Sequence, residues 1–305
     1  MSRPRNPLAD LALDADAVLP LVAALVRTRV GFEPGACEPT ALKRTERRIV
    51  VRYRLSGDSR TVDVVGKWYG TDRGAIVEET LEGLRDRGFS GRRFGVPEPL
   101  GYLPDLRVLF TEAISGPILR ETLRDDPSST ARAGAWLATF HRSGMSIPRD
   151  CGSGKQRAAV ARWAREIPEL VGVAPVLDAA LAEAPDPGLA VHYDYYHSQI
   201  ILDGPRTVVL DLDEAGMGDP AFDLAHFDAH IRLLALQWLA RPDGLDEALG
   251  HFRSGYASVA PQPPRHPALD AFAWYKLAYQ ARRRGAPRGE QDYTLEAVRG
   301  SLSAA

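Results

Sequence analysis

Residues 192–223 carry the side chains best suited to chemistry. They read His192-Tyr-Asp194-Tyr-Tyr-His-Ser-Gln199-Ile-Ile-Leu-Asp203, a short turn, then Val208-Val-Leu-Asp211-Leu-Asp213 and, further on, Gly218-Asp219-Pro220-Ala-Phe-Asp223. An acid in a loop is followed five positions later by an amide that opens an apolar strand. A Gly-Pro turn leads to a second strand, which ends at another acid. Such a hairpin is expected to bring Asp194, Gln199 and Asp211 to one of its ends. Three oxygen-bearing side chains there suit a hard divalent cation and the positioning of a hydroxyl. Phosphoryl transfer to an alcohol needs both. An isolated Asp-x-Asp such as Asp211-x-Asp213 is commonly a solvated turn, but the apolar strand before it and the companion loop favour a metal role. Asp213 reads either as a group behind the metal ligands or as a cap for the next turn.

The elements around this stretch change character near residue 114. Before it the chain reads as β-rich. Arg48–Leu55 alternates and is rich in β-branched and aromatic residues, Ser56-Gly57-Asp58 reads as a turn, and Thr61–Tyr69 is the partner strand. A helix is expected over Ala75–Arg87, with Val77, Leu81 and Leu84 on one face and Gly88 as its stop. Val96–Tyr102 and Arg107–Thr111 read as further strands. Beyond Ile114 the pattern is mostly helical, over Ser129–Arg142, Phe222–Leu239, Leu245–Val259 and Leu269–Arg284. The expected class is α+β, with a small β-rich lobe over residues 1–113 and a larger helical lobe over 114–305.

Composition narrows the partners. The 305 residues carry a net charge of −2, so no long-range field points to nucleic acid or an anionic membrane. Two cysteines, Cys37 and Cys151, argue against a disulfide framework or a zinc site and fit a reducing cytoplasm. The apolar run Ala17–Val26 follows Asp14 and Asp16 and contains Pro20. It is too short to span a bilayer and poorly built as a signal peptide, and reads as an ordinary amphipathic helix.

The order His192-x-Asp194, an amide at 199, Leu-Asp211 and Gly218-Asp219-Pro220-Ala-Phe-Asp223 resembles the aminoglycoside phosphotransferase and choline kinase group, which shares the bilobal protein-kinase-like fold. Lys67 in Val65-Gly-Lys67-Trp-Tyr, on the third strand before a helix, and the hinge-like Leu109-Phe-Thr111-Glu-Ala113 extend the resemblance over residues 40–260. It implies an ATP-dependent kinase acting on a hydroxyl of a small molecule such as an antibiotic, a sugar or amino sugar, or an amino alcohol. Asp194 would orient the hydroxyl or accept its proton. Asp211 and Gln199 would hold Mg2+. Lys67 would neutralise the nucleotide phosphates, with Glu78 (or Glu79) holding the lysine. Backbone atoms of Thr111 and Ala113 would meet the base. His192 would pack the loop and Asp223 would brace it. ATP and GTP both fit this pattern, as do a monomer and a homodimer.

Two features depart from the family's pattern. Gln199 stands where an asparagine is usual, which adds a methylene of about 1.5 Å to a site where magnesium demands tight geometry. The segment expected to cover the nucleotide, residues 37–50, has no glycine to let the backbone approach phosphates, although Lys43, Arg44 and Arg47 offer charge. These departures motivate an alternative reading, a nucleotide-binding pseudokinase or regulatory module. The joint presence of Lys67, Asp194 and Asp211 argues against it.

Overall fold

Residues 7–45, 48–58 and 60–303 are described by the computed structural model of the chain, so Arg47 lies outside the described residues. Two compact units divide the chain. One holds the residues up to Ser115 together with Val208–Asp213; the other holds Gly116–Thr207 and the chain from Glu214 onward.

The first unit begins with helices α1 (Pro7–Ala12) and α2 (Ala15–Val30). Asp14 caps α2, its carboxylate accepting from the backbone N–H groups of Asp16 and Ala17 at 3.1 Å each. The helix continues through Pro20, which removes one internal hydrogen bond near its start. Strands β1 (Ala36–Arg44), β2 (Arg48–Ser56) and β3 (Thr61–Tyr69) follow, then α3 (Arg73–Leu84), β4 (Phe94–Gly95), β5 (Pro99–Leu103) and β6 (Val108–Glu112). An antiparallel sheet runs in the order β1-β2-β3-β6-β5. Strand alternation divides its faces. Ile49, Val51, Tyr53 and Leu55 of β2 and Val64 and Trp68 of β3 are buried against Val18, Val22 and Val26 of α2. The intervening residues, Lys67 among them, point to the other face. Within the core the Trp68 indole donates to the Tyr53 hydroxyl (2.9 Å), which donates to the Ala12 carbonyl (2.8 Å), so the buried polar atoms are satisfied.

Two local expectations change. Most of residues 37–50 is strand rather than a covering loop: β1 pairs with β2 from Ala36↔Ser56 to Arg44↔Ile49. Its charged side chains are mostly exposed, as suits an edge strand. Helix α3 stops at Leu84, and the chain then makes one wide turn in which Gly88 takes φ +96°. Gly88 does mark the stop, but four residues after the regular helix has ended.

In the second unit, α4 (Leu119–Thr122), α5 (Thr130–His141), α6 (Ser153–Glu166) and α7 (Ala174–Ala182) precede β7 (Leu189–Val191). Successive strands β8 (Ile200–Asp203) and β9 (Arg206–Val209), joined at Gly204-Pro205, return the chain to the first unit at Val208. Then come β10 (Gly216–Gly218), α8 (Pro220–Leu239), α9 (Asp246–Ala257), α10 (Pro267–Arg283) and α11 (Arg288–Ser303). Helices α5 and α9 cross at Gly134 and Gly255. A Cβ on Gly134 would lie 2.0 Å from the Phe252 carbonyl oxygen, and one on Gly255 would lie 1.9 Å from that of Ala131. Only glycine permits that approach. Phe222, Phe272, Tyr275 and Leu177 centre the helical core. Among the described residues no helix is long and apolar enough to cross a membrane.

Candidate active site

In the first unit, β3 directs Lys67 away from the core. Its ammonium donates to Asp211 (2.7 Å) and Asp213 (2.6 Å), whose segment follows β9. Arg48, at the start of β2, donates to Asp213 at 2.6 Å and reaches Asp211 at 3.4 Å. The Tyr69 hydroxyl donates to Asp213 at 3.0 Å. Arg48 and Tyr69 are direct cross-strand partners, and Lys67 sits opposite Val50, so one face of two strands presents all three donors. Burial works against the Arg48 charge, but the carboxylates of Asp211 and Asp213 outweigh it and hold its pKa above the ordinary guanidinium value. Burial, reinforced by Asp213, pushes the Tyr69 hydroxyl well up. Asp211 adopts φ +61°, a left-handed conformation that aspartate tolerates better than most residues.

Other expected nucleotide residues lie as follows. Glu78, assigned above to the lysine, is bonded elsewhere: it accepts from the Tyr102 backbone N–H at 2.7 Å. Helix α3 packs beside β5, where that N–H needs an acceptor, and Lys67 already has two nearer acids. Glu79 is exposed. Thr111 lies within β6, between Val65 of β3 and Pro99 of β5. Ala113 is the first residue beyond that strand, and its N–H points to the Asp63 carbonyl at 3.4 Å. Ala113 and Ser115 line a cavity of about 720 Å³ together with Asp63, Val64, Glu98 and Leu100.

In the second unit the loop after β7 is braced from below. Asp223, fully buried in the first turn of α8, accepts from the backbone N–H groups of His192 (2.7 Å) and Tyr193 (2.8 Å) and bonds His141 Nε2 (3.0 Å). That grip accompanies a left-handed Tyr193, φ +66°. Positive φ at a non-glycine residue is sustained only where the surroundings over-determine it. His192 is buried, and its Nδ1 lies 3.4 Å from the Asp194 backbone nitrogen. Lys276 of α10 donates to the Tyr193 carbonyl (2.7 Å) and to Asp194 Oδ1 (2.8 Å). His226 Nε2 stands 3.7 Å from the same carboxylate oxygen. Gln199 ends the short helical turn His197–Gln199, immediately before β8.

Asp194 lines a second cavity, of about 460 Å³, with Arg120, His197, His230, Gln237 and Glu290. Glu290 is bonded to Arg284 and accepts from Gln237 at 2.9 Å. Burial, with a smaller push from Arg120, lowers the His197 pKa to about 3, and burial holds His226 and His230 well below the usual imidazole value. All three rings are neutral near pH 7 and face this region as hydrogen-bonding rather than charged groups. Among the described residues no three His, Cys, Asp or Glu side chains form a metal cage by themselves.

Sequence reasoning missed Arg48, Tyr69 and Lys276. A signal existed for Lys276: it is a lone lysine on the otherwise apolar and aromatic stripe of α10, beside Phe272, Tyr275 and Tyr279. For Arg48 and Tyr69 the signal was their shared strand face with Lys67.

A family model described as the phosphotransferase enzyme family matches residues 78–272. No curated protein sequence matches the chain. Among solved structures, a choline/ethanolamine kinase family protein from Mesorhizobium loti is 19% identical, with 87% of each chain covered and a TM-score of 0.61. A thermostable mutant of aminoglycoside phosphotransferase APH(4)-Ia, in a ternary complex with AMP-PNP and hygromycin B, is 14% identical over 93% of this chain and 98% of that one, with a TM-score of 0.62. Spectinomycin phosphotransferase APH(9)-Ia, in complex with ADP and spectinomycin, is 12% identical over 94% of each chain, with a TM-score of 0.57. These likenesses establish the kinase-like α+β fold, and the family match, which spans more than half of the sequence, establishes that the chain belongs to the phosphotransferase enzyme family.

Proposed function

We propose that this protein is an ATP-dependent kinase that transfers the γ-phosphoryl group to a hydroxyl of a small molecule. The observation that carries the reading is Asp194, a carboxylate on a braced loop at the wall of a 460 Å³ cavity, with Lys276 beside it. A carboxylate so placed accepts a hydrogen bond from an alcohol, aims it, and takes its proton as the new O–P bond forms. On the nucleotide side, the backbone from Ala113 onward offers N–H and carbonyl groups to the base. Thr111 is enclosed by strands on both sides and contributes through the position of β6. From Asp63 to Lys67, β3 rises roughly 13 Å, comparable with an extended nucleoside triphosphate, so Lys67 falls to the phosphates.

Asp211 and Gln199 are the proposed magnesium ligands. The ion is held by one or two carboxylates together with phosphate and water oxygens, a donor chemistry that Asp211, with Asp213 beside it, supplies. When bound, magnesium neutralises charge on the transferring phosphates. Both acids on the wall of the 460 Å³ cavity already carry cationic partners, Lys276 and Arg284. The acceptor is therefore read as a neutral or weakly charged hydroxylated compound rather than a polycation. The cytoplasm provides ATP and keeps the buried Cys37 and Cys151 as thiols.

The test is calorimetric titration with ATP and GTP, with and without magnesium, followed by nucleoside diphosphate release across a panel of hydroxylated acceptors. Metal-dependent nucleotide binding is expected in both the wild type and Asp194→Ala, with turnover lower in the variant by about 10²–10⁴-fold. No binding at millimolar nucleotide, or full turnover by Asp194→Ala, would overturn the proposal.

A further inference from the structure

We infer that Arg48 is a phosphate-binding residue of the nucleotide site, and that its contact with Asp213 and Asp211 is the arrangement it holds before the nucleotide arrives. This rests on the kinase reading above and adds a residue that the resemblance did not supply.

Four observations lead to it. Arg48 opens β2 directly after the turn in which Thr45 N–H and Oγ1 bond its carbonyl, at 2.9 and 3.0 Å. That is the place where a glycine-rich segment would offer backbone N–H groups to phosphates, and no glycine occurs between Cys37 and Val50. A side-chain cation therefore has to supply what the backbone does not. Second, strand register puts Arg48 on the same face as Lys67, across from Tyr69. Third, the cluster is electrically closed: two cations, Arg48 and Lys67, meet two carboxylates, Asp211 and Asp213. A divalent ion that takes an Asp211 oxygen draws that carboxylate away from both cations. Arg48 and Lys67 have side chains only 23% and 16% exposed, so neither readily regains full hydration. Phosphate oxygens restore their partners, and the guanidinium fork matches two such oxygens at once. Fourth, Asp213 stays anchored when Arg48 turns away, because the Tyr69 hydroxyl and Lys67 also hold it. The exchange therefore leaves no buried acid without a partner.

The experiment compares wild type, Arg48→Met and Arg48→Lys in titrations with magnesium AMP-PNP and with adenosine. Arg48→Met is expected to weaken AMP-PNP at least about tenfold, the loss of one charge-assisted hydrogen bond or more. Adenosine affinity should stay unchanged, and Arg48→Lys should recover part of the loss. Equal weakening of both ligands would mark Arg48 as a structural ion-pair residue and overturn the inference, as would unchanged AMP-PNP affinity. Thermal melting accompanies each titration; if Arg48→Met does not fold, Arg48→Gln against Arg48→Lys gives the same comparison. Wild-type protein that binds neither ligand would overturn the kinase reading itself. Binding by the wild type, with a phosphate-independent loss in the variant, would overturn the Arg48 inference alone.

Discussion

The two acidic centres of this protein are held in contrasting ways. Asp211 and Asp213 are neutralised by side chains, Arg48, Lys67 and the Tyr69 hydroxyl, all of which can swing on rotatable stems. Asp194 belongs to a loop pinned through its backbone: Asp223 takes the N–H groups of His192 and Tyr193, and Lys276 takes the Tyr193 carbonyl. The first arrangement suits exchange, since counter-ions give way to a metal and phosphates without moving the main chain. The second suits aiming, because an attacking hydroxyl must be held within a narrow range of position and angle. One centre is thus built to change partners and the other to keep its geometry.

The contrast breaks most visibly if the bracing is removed. Asp223→Ala leaves two buried backbone donors and the His141 ring without their acceptor. The expected loss is about 3–5 kcal/mol of stability by denaturant titration, while Asp213→Ala costs less because Arg48 and Lys67 retain some access to water. Equal losses would mean that the two centres are not held differently.

Lys276→Met tests the aiming role with a smaller effect. Turnover is expected to fall about tenfold or more, on the scale of one charge-assisted hydrogen bond, with nucleotide affinity preserved. A variant that loses nucleotide binding and turnover in parallel would place Lys276 in general folding rather than in positioning Asp194.

The smallest effect concerns acid. His197 is neutral in the fold, with its pKa lowered to about 3 by burial, whereas the unfolded chain protonates histidine near 6.5. The unfolded state therefore binds more protons below that value, and stability falls as pH drops from about 6.5 toward 3. From pH 7 to pH 6 this single group removes about 0.7 kcal/mol. His197→Gln should flatten the pH dependence of Tm by that amount; an unchanged slope would show that His197 does not contribute.

Much of this was readable in residue order. Alternation in Arg48–Leu55 and Thr61–Tyr69 indicated strands and put Lys67 off the core face, because side chains on a strand alternate whatever the fold around them. The spacing from Asp194 through Gln199 to Asp211 marked loop, strand, turn and strand. Helices over 130–141, 220–239, 246–257 and 267–283 were visible within a few residues from their apolar period. Helices α6, α7 and α11 went unmarked; α6 is rich in alanine and charge and shows no clear apolar stripe in sequence.

What the sequence by itself determined was the identity of the reactive groups, the faces they occupy and the family to which they belong. What only the tertiary structure decided was their partners. Lys67 pairs with acids more than 140 residues away rather than with Glu78 eleven residues on, and Lys276 reaches Asp194 across 82 positions. Periodicity is a local property of the backbone and survives in any window of sequence. The meeting of two charges is settled by how strands and helices pack, which depends on the whole buried surface of a unit and on which polar groups that packing leaves to be satisfied.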